Sequence, residues 1–151
     1  MKTLNLNKTA LVIIDLQKGI AGREGFAPYS AQEVLAKNTE ALIVFVHVKN
    51  YGEEALKPKT DNPPLAHGQI PADFSDFVMP EAYDKDYDNV IHVAKHNWGA
   101  FYGTDLDVQL RRRGIEEIVL SGIATTIGCD TTAREAFQHG YQVIAVEDAM
   151  T

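Results

Sequence analysis

The chain has 151 residues, and its 14 Lys and Arg against 21 Asp and Glu give a formal net charge of −7 at pH 7. That length suits a single domain over residues 1–151, and 45% hydrophobic and 23% charged residues are typical of a globular protein, which excludes wholesale disorder. The acidic balance argues against nucleic acid or an anionic membrane surface as the main partner. The one cysteine excludes an intrachain disulfide and a zinc site built from several cysteines.

The distribution of apolar residues along the chain is informative about the cellular compartment. The first residues contain no long apolar run followed by a small-residue cleavage site, which argues against a secretory signal. No window approaches the roughly 20 apolar residues of a membrane span. With a single thiol, these features predict a cytoplasmic protein that acts on a small molecule.

Strands and helices alternate along the chain. Short apolar, β-branched runs predict buried strands at residues 9–14, 41–48, 90–94, 118–121 and 142–146. Helices are predicted from a capping box at residues 30–33, from Thr104 to Arg113, and from Gly128 to His139, with Gly114 and Gly140 just after the last two. The alternation predicts a doubly wound α/β fold, in which helices cover both faces of a mostly parallel sheet.

Two features of this pattern are unusual. The helix predicted after Ser30 runs into the strand at residue 41 with no turn residue between Thr39 and Glu40, and the chain stops at Thr151, just after a strand end. Because connections between helices and strands normally take several residues, residues are expected to be absent at both places. The proline-containing segment 51–87 is predicted to be a long excursion over the sheet.

Polar residues follow three of the predicted strands at their carboxyl ends. Asp15 follows the first strand, Lys95 follows the third, and residues 122–129 lead from the fourth strand into a helix. Ligands of open α/β sheets bind outside these ends, and a helix N-terminus adds partial positive charge there. A carboxylate, an ammonium group and a helix N-terminus together predict an acid–base site for a small polar substrate.

Each of these residues also has a purely structural interpretation. Asp15 could cap a loop, Lys95 could be a solvated surface lysine, and Cys129 could be a small buried filler. Their common placement at one edge of the sheet favours the catalytic interpretation.

Four stretches of sequence carry a resemblance to a known family, namely residues 10–17 (ALVIIDLQ), 95–101 (KHNWGAF), 121–125 (SGIAT) and 132–141, which begins TAREAF. In this order they resemble the isochorismatase-like hydrolase superfamily, which includes cysteine hydrolases such as nicotinamidases and N-carbamoyl amidases. The resemblance implies a Rossmann-like three-layer α/β/α sandwich that forms homodimers or higher homo-oligomers. It also implies the family's Asp and Lys roles for Asp15 and Lys95, and a non-proline cis peptide bond between Ile123 and Thr125.

The cysteine that serves as nucleophile in many of these hydrolases is out of register here. In the family this cysteine stands four residues before the Thr of the Thr-Ala-Arg stretch. In this chain that Thr is Thr132, so the expected position is Gly128, and Cys129 comes one residue later. One residue turns a helical side chain by about 100°, so the Cys129 thiol would miss the substrate carbonyl. True isochorismatases, which hydrolyse a vinyl ether without a thiol, also carry Gly at this position, and the chain resembles that subgroup.

Three functions therefore remain open. In the favoured one, Asp15 is the general acid toward a vinyl ether or related group, and water adds to the oxocarbenium-like centre. In the second, Cys129 has a lowered thiol pKa and attacks a small amide, while backbone N–H groups of residues 125–129 bind the oxyanion. In the third, the chain binds a small acid without catalysis. Burial would raise the pKa of Asp15 and Lys95 would lower it, and the sequence leaves this balance open.

Further candidates for substrate binding follow the same strand ends, namely Gln17, Trp98, Thr125, Thr126 and Gly128. Helix capping by the threonines, and packing of the tryptophan in the core or at a dimer contact, are the structural alternatives. No metal or redox cofactor is expected. The sequence lacks the Asp-x-His triplet that carries metal in nicotinamidase relatives, and it contains neither a Gly-x-Gly-x-x-Gly nor a Walker loop.

Overall fold

The computed structural model describes residues 3–17, 41–49 and 88–150. Five strands form one sheet, namely β1 (Thr9–Ile14), β2 (Leu42–Val48), β3 (Val90–Lys95), β4 (Glu117–Gly122) and β5 (Gln142–Met150). They lie in the order β3-β2-β1-β4-β5, and every neighbouring pair is parallel. All five predicted strands are confirmed, although β5 continues to Met150 instead of ending at residue 146.

Two helices connect the later strands, namely α1 (Leu106–Arg112) and α2 (Asp130–Gln138). The N-cap of α1 is Asp105 and not Thr104 as predicted, although the Thr104 hydroxyl accepts the Leu106 N–H at 3.2 Å from one residue further back. The second helix begins later than predicted, because residues 125–129 form a π-helical turn before it. Gly114 and Gly140 follow the two helices with φ of 67° and 87°, as predicted for glycines that end a helix.

Both faces of β1 and β2 are buried, whereas no residue of the edge strand β5 is fully buried. On one face, alternate residues of β1 and β2 pack with residues of α1 and α2 in the main apolar cluster, which includes Val12, Ile14, Val44, Leu106, Leu110 and Ala136. Ile13, Ile43 and Phe45 point to the opposite face and are buried as well. This burial is typical of a parallel sheet with two covered faces.

Several predicted features lie outside the described residues. They are the helix after Ser30, the excursion at residues 51–87, and the positions next to Thr39 and Thr151 where residues were expected to be absent. Within the described ranges, no helix has the length and apolar character that crossing a membrane requires.

The strand order fixes where a ligand can bind. The chain runs outward from β1 through β2 to β3, and then returns to the other side of β1 to form β4. In open α/β sheets the crevice at this reversal, outside the carboxyl ends of the strands, is the usual ligand site. The residues that follow β1 and β4 are therefore the expected lining of a ligand site.

Candidate active site

Asp15 follows β1 in a tight turn. Its backbone has φ of 56°, a left-handed conformation that Asp adopts more readily than most residues. The N–H of Asp15 donates to the Val46 carbonyl oxygen at 2.9 Å, and its own carbonyl oxygen accepts the Gln17 N–H at 2.8 Å. These bonds anchor the backbone of Asp15 to the end of β2.

Lys95, the last residue of β3, forms an ion pair with Asp15. Its Nζ lies 2.7 Å from Asp15 Oδ2, with 1% of the Lys95 side chain and 8% of the Asp15 side chain exposed. The same ammonium group donates to the carbonyl oxygen of Trp98 at 2.7 Å. The acid and the cation that the sequence places at one edge of the sheet are therefore in direct contact, and the solvated lysine interpretation is wrong.

The electrostatics of Asp15 are dominated by burial. Burial raises the pKa of this carboxyl group, and the attraction and hydrogen bond of Lys95 offset the rise only in part. The second oxygen, Oδ1, is buried and has no hydrogen-bond partner in the part of the chain that the structure describes. A raised pKa favours the protonated form, which is the form that a general acid needs.

The exit of β4 packs against the end of β1. Gly122 has φ of 120°, and a Cβ at this position would lie 2.2 Å from the Ile14 carbonyl oxygen. The Ile123 N–H donates to that same oxygen at 3.0 Å. The peptide bond between Ile123 and Ala124 is cis, which confirms the expectation from the resemblance. Only glycine permits this contact, which brings the turn after β4 next to Asp15.

Gly128 faces the Asp15 carboxylate from the π-helical turn. A Cβ built on Gly128 would lie 3.4 Å from Asp15 Oδ2, 3.2 Å from the Ile123 carbonyl oxygen and 3.0 Å from Ile14 Cγ2. Residue 128, where the resemblance predicts the nucleophile of cysteine hydrolases, thus points at the acid. In this chain it carries no side chain.

Cys129 is 1% exposed and belongs to the main apolar cluster. Burial is the main cause that raises the pKa of its thiol to about 11, and the Asp15 charge adds to the rise while Lys95 opposes it. The lowered thiol pKa expected for the thiol mechanism is therefore wrong. The Cys129 N–H also donates to the Ala124 carbonyl oxygen at 3.1 Å, so this N–H is not a free oxyanion donor.

Gln17 is fully buried, and both ends of its amide bind the backbone of Val48. Its Nε2 donates to the Val48 carbonyl oxygen at 3.0 Å, and its Oε1 accepts the Val48 N–H at 2.7 Å. Gln17 therefore joins the Asp15 turn to the end of β2. Its predicted role in orienting Asp15 or the substrate stays a prediction.

The remaining candidates lie at the same side of the sheet with exposed side chains. Trp98 is 69% exposed, which excludes the core-packing interpretation, and Thr125 and Thr126 are exposed at the start of the π-helical turn. Their contact with substrate stays a prediction. Among the described residues, no group of three or more His, Cys, Asp or Glu side chains is placed to hold a metal ion.

Two residues of α2 support the site although the sequence did not single them out. The Thr132 hydroxyl accepts the Ala100 N–H at 3.1 Å, and a carboxylate oxygen of Glu135 accepts the Phe101 N–H at 3.0 Å. Both side chains thereby hold the loop that follows Lys95. The available signal was their position one helical turn apart within the Thr-Ala-Arg-Glu stretch.

Comparisons with known proteins identify the family of the chain. Residues 9–151 match the family described as Isochorismatase domain. The isochorismatase family protein YwoC of Bacillus subtilis (strain 168) is 52% identical over 159 aligned residues, which cover 100% of this chain and 82% of that protein. A solved structure of an isochorismatase family protein from Burkholderia thailandensis has a TM-score of 0.74 at 46% identity, covering 98% of this chain and 80% of that one.

A more distant relative has a named reaction. The ureidoacrylate amidohydrolase RutB of Stutzerimonas stutzeri (strain A1501) is 26% identical over 176 aligned residues, which cover 97% of this chain and 71% of that protein. Together with the parallel five-stranded sheet, these similarities confirm the predicted fold class. The chain belongs to the isochorismatase family, within the isochorismatase-like hydrolase superfamily.

Proposed function

We propose that the chain hydrolyses a small vinyl ether, with Asp15 as general acid and water as nucleophile. The observation that carries this proposal is the approach of Gly128 to Asp15, where a Cβ would lie 3.4 Å from Oδ2. The backbone position that faces the acid has no side chain that could attack a substrate. The next residue, Cys129, has a thiol pKa of about 11 and is thus protonated at neutral pH.

The two carboxyl oxygens of Asp15 have different surroundings and different proposed roles. Lys95 holds Oδ2 at 2.7 Å, so the transferable proton belongs on Oδ1, which is buried and has no partner among the described residues. The raised pKa of Asp15 supports this protonated form. After the proton has left, the Lys95 ammonium stabilises the resulting carboxylate.

The proposed reaction has three steps. The electron pair of the C=C bond takes the Asp15 proton at its terminal carbon, which leaves an oxocarbenium-like centre. Water adds to this centre and returns a proton to the Asp15 carboxylate. In the hemiketal that has formed, the hydroxyl group loses its proton and the ether oxygen gains one as its bond to carbon breaks, so that a ketone and an alcohol are released.

Hydrolysis of a small amide by Cys129 is the alternative, and it is supported by the named reaction of the amidohydrolase relative. The two reactions make opposite demands on the chain. The vinyl ether reaction needs the Asp15 proton and does not need the thiol, whereas the amide reaction needs a thiolate.

The test compares wild type, Cys129→Ala and Asp15→Asn on a carboxyvinyl ether of a simple cyclic alcohol and on small N-carbamoyl amides. We expect a 2-oxo acid to be released from the ether at the same rate in wild type and Cys129→Ala, and about 100-fold or more slowly in Asp15→Asn. Circular dichroism establishes that the variants are folded. Amide hydrolysis that disappears in Cys129→Ala would overturn the proposal in favour of the thiol mechanism.

A further inference from the structure

Side chains of α2 bind two consecutive N–H groups in the loop that follows Lys95. The Ala100 N–H donates to Thr132 Oγ1 at 3.1 Å, and the Phe101 N–H donates to Glu135 Oε2 at 3.0 Å. Residues three apart lie on the same face of a helix. The loop is therefore fastened to one face of α2 at two adjacent points.

The hydrogen bond between the Phe101 N–H and Glu135 depends on Gly99. A Cβ at Gly99 would lie 2.1 Å from a carboxylate oxygen of Glu135, which is far inside van der Waals contact. An alanine at residue 99 would therefore push the carboxylate away from the Phe101 N–H. The hydrogen bond from the Phe101 N–H to Glu135, in its present geometry, therefore needs a glycine at residue 99.

The hydroxyl of Thr132 makes a second hydrogen bond, in which it donates to the Gly128 carbonyl oxygen at 2.6 Å. A helical Thr often donates to the carbonyl four residues earlier, so this bond alone describes only local helix structure. The bond accepted from Ala100 is different, because 32 residues separate its partners. A fully buried hydroxyl thus joins the π-helical turn to the loop after Lys95.

Both of the joined segments contact the acid–cation pair. Lys95 Nζ donates to the Trp98 carbonyl oxygen in the loop and to Asp15 Oδ2, in each case at 2.7 Å. On the other side, Gly128 approaches the same Oδ2 from the π-helical turn. The bonds of Thr132 therefore close a ring of contacts that runs from Asp15 through Lys95 and the loop to Gly128.

We propose that Thr132 is a positioning residue, which sets the separation between Gly128 and the Asp15–Lys95 pair. The catalytic consequence rests on the proposed function, because the reacting carbon and the water must fit beside Asp15. The structural part stands without it. Thr132 acts through backbone groups, since its hydroxyl is bonded to one carbonyl oxygen and one N–H.

Two variants of Thr132 and one control variant test the role of the Thr132 hydroxyl. Thr132→Val keeps the shape of the side chain and leaves the Ala100 N–H and the Gly128 carbonyl oxygen without this partner, whereas Thr132→Ser keeps the hydroxyl. Thr104→Val is the matched control, because Thr104 donates to the Ala100 carbonyl oxygen at 2.6 Å and accepts the Leu106 N–H at 3.2 Å. It thus holds the same loop to α1 without contacting the π-helical turn. If Thr132→Val does not fold, Thr132→Ala takes its place with the same expectations.

The first measurement needs no substrate. Cys129 is the only cysteine in the chain and directly follows Gly128, so its reaction with an aromatic disulfide reports how often the π-helical turn opens. We expect the reaction to be about fivefold faster in Thr132→Val, because the buried hydroxyl loses its hydrogen bonds and one such bond contributes about 1 kcal/mol. Thr132→Ser and Thr104→Val should react at the wild-type rate. An unchanged rate in Thr132→Val, or an equal acceleration in Thr104→Val, would overturn the proposal.

The second measurement follows the release of 2-oxo acid from the carboxyvinyl ether. We expect Thr132→Val to lower kcat by about 10–100-fold with little change in KM, because misplacing a reacting group slows chemistry more than binding. Thr132→Ser should restore kcat, and an equal loss in Thr104→Val would contradict a specific role. If wild type releases no product, the proposed function fails, and the thiol measurement alone decides whether Thr132 joins the two segments.

Discussion

The Nζ of Lys95 lies 2.7 Å from Oδ2 of Asp15, and water reaches almost none of either side chain. Removal of each charge from water costs several kcal/mol, and their mutual attraction offsets this cost only while both partners are present. The Trp98 carbonyl oxygen accepts a further hydrogen bond from the ammonium group. Loss of one partner would therefore leave the other as an uncompensated buried charge.

The first prediction concerns stability. Lys95→Met should lower the free energy of unfolding by about 3–5 kcal/mol at neutral pH, as measured by urea denaturation. The double variant Asp15→Asn with Lys95→Met should recover most of this loss, because no buried charge remains. Equal instability of the single and double variants would show that Lys95 stabilises the fold by packing alone.

The same variant has a predictable pH dependence. Without Lys95, burial alone acts on Asp15, so the folded-state pKa lies still further above its ordinary value of 3.8. A group with a raised folded-state pKa destabilises the fold as the pH rises through that pKa. The stability deficit of Lys95→Met should therefore be small in acid and grow as the pH is raised. A deficit that stays constant with pH would argue against a charged Asp15 as its cause.

The second prediction concerns the pH dependence of activity. Burial raises the pKa of Asp15, and the proposed acid acts only in its protonated form. We expect kcat/KM to be constant at low pH and to fall as the pH rises through a pKa above 3.8, the ordinary value for Asp. The profile should be the same in Cys129→Ala. Activity that instead rises in alkali toward a pKa of about 11 would indicate ionisation of Cys129.

The third prediction concerns the space in front of Asp15. In Gly128→Ala the new Cβ would lie 3.0 Å from Ile14 Cγ2 and 3.4 Å from Asp15 Oδ2. Overpacking of this kind lowers stability by about 1–3 kcal/mol, and a methyl group in contact with Asp15 Oδ2 should lower kcat by about 10–100-fold, because it takes up space that the substrate needs. Thermal unfolding and ether hydrolysis measure the two effects.

Gly140→Ala is the control for this substitution. Gly140 has φ of 87° and nothing within 4 Å of its Cβ direction, so alanine there strains the backbone without crowding any neighbour. Its stability should fall by about 1–2 kcal/mol while kcat stays at the wild-type value. A parallel loss of activity in both variants would trace the effect of Gly128→Ala to general instability.

The meeting of Asp15 and Lys95 was predictable because it depends only on topology. Apolar, β-branched runs identify the strands, and the carboxyl ends of parallel strands share one edge of the sheet. Polar residues that directly follow such strands therefore lie along one edge, and the long Lys95 side chain reaches Asp15 although β2 lies between β3 and β1. Their identity as one acid and one base then supplies the expectation of an acid–base site.

The electrostatics of the site were not predictable in the same way. Whether burial or Lys95 controls the Asp15 pKa depends on how closely Gly122 and Gly128 approach, and segments far apart in the chain set these distances. The thiol pKa of Cys129 likewise follows from its burial against β1 and β4 rather than from its place near a helix N-terminus. The double hydrogen bond of Thr132 joins residues 32 apart, and no local pattern encodes that contact.

The fourth prediction concerns Gln17, whose amide binds both backbone groups of Val48 at 3.0 and 2.7 Å. Gln17→Leu keeps the bulk and leaves the partly buried N–H and carbonyl oxygen of Val48 without this partner, which should cost about 1 kcal/mol for each group. Gln109→Leu is the control, because the Gln109 amide donates to Asp105 at the surface and its loss should change stability little. Urea denaturation compares the two. Because the Gln17 bonds hold the turn that carries Asp15, Gln17→Leu should also lower kcat, and an undiminished kcat would show that the Asp15–Lys95 ion pair suffices to place the acid.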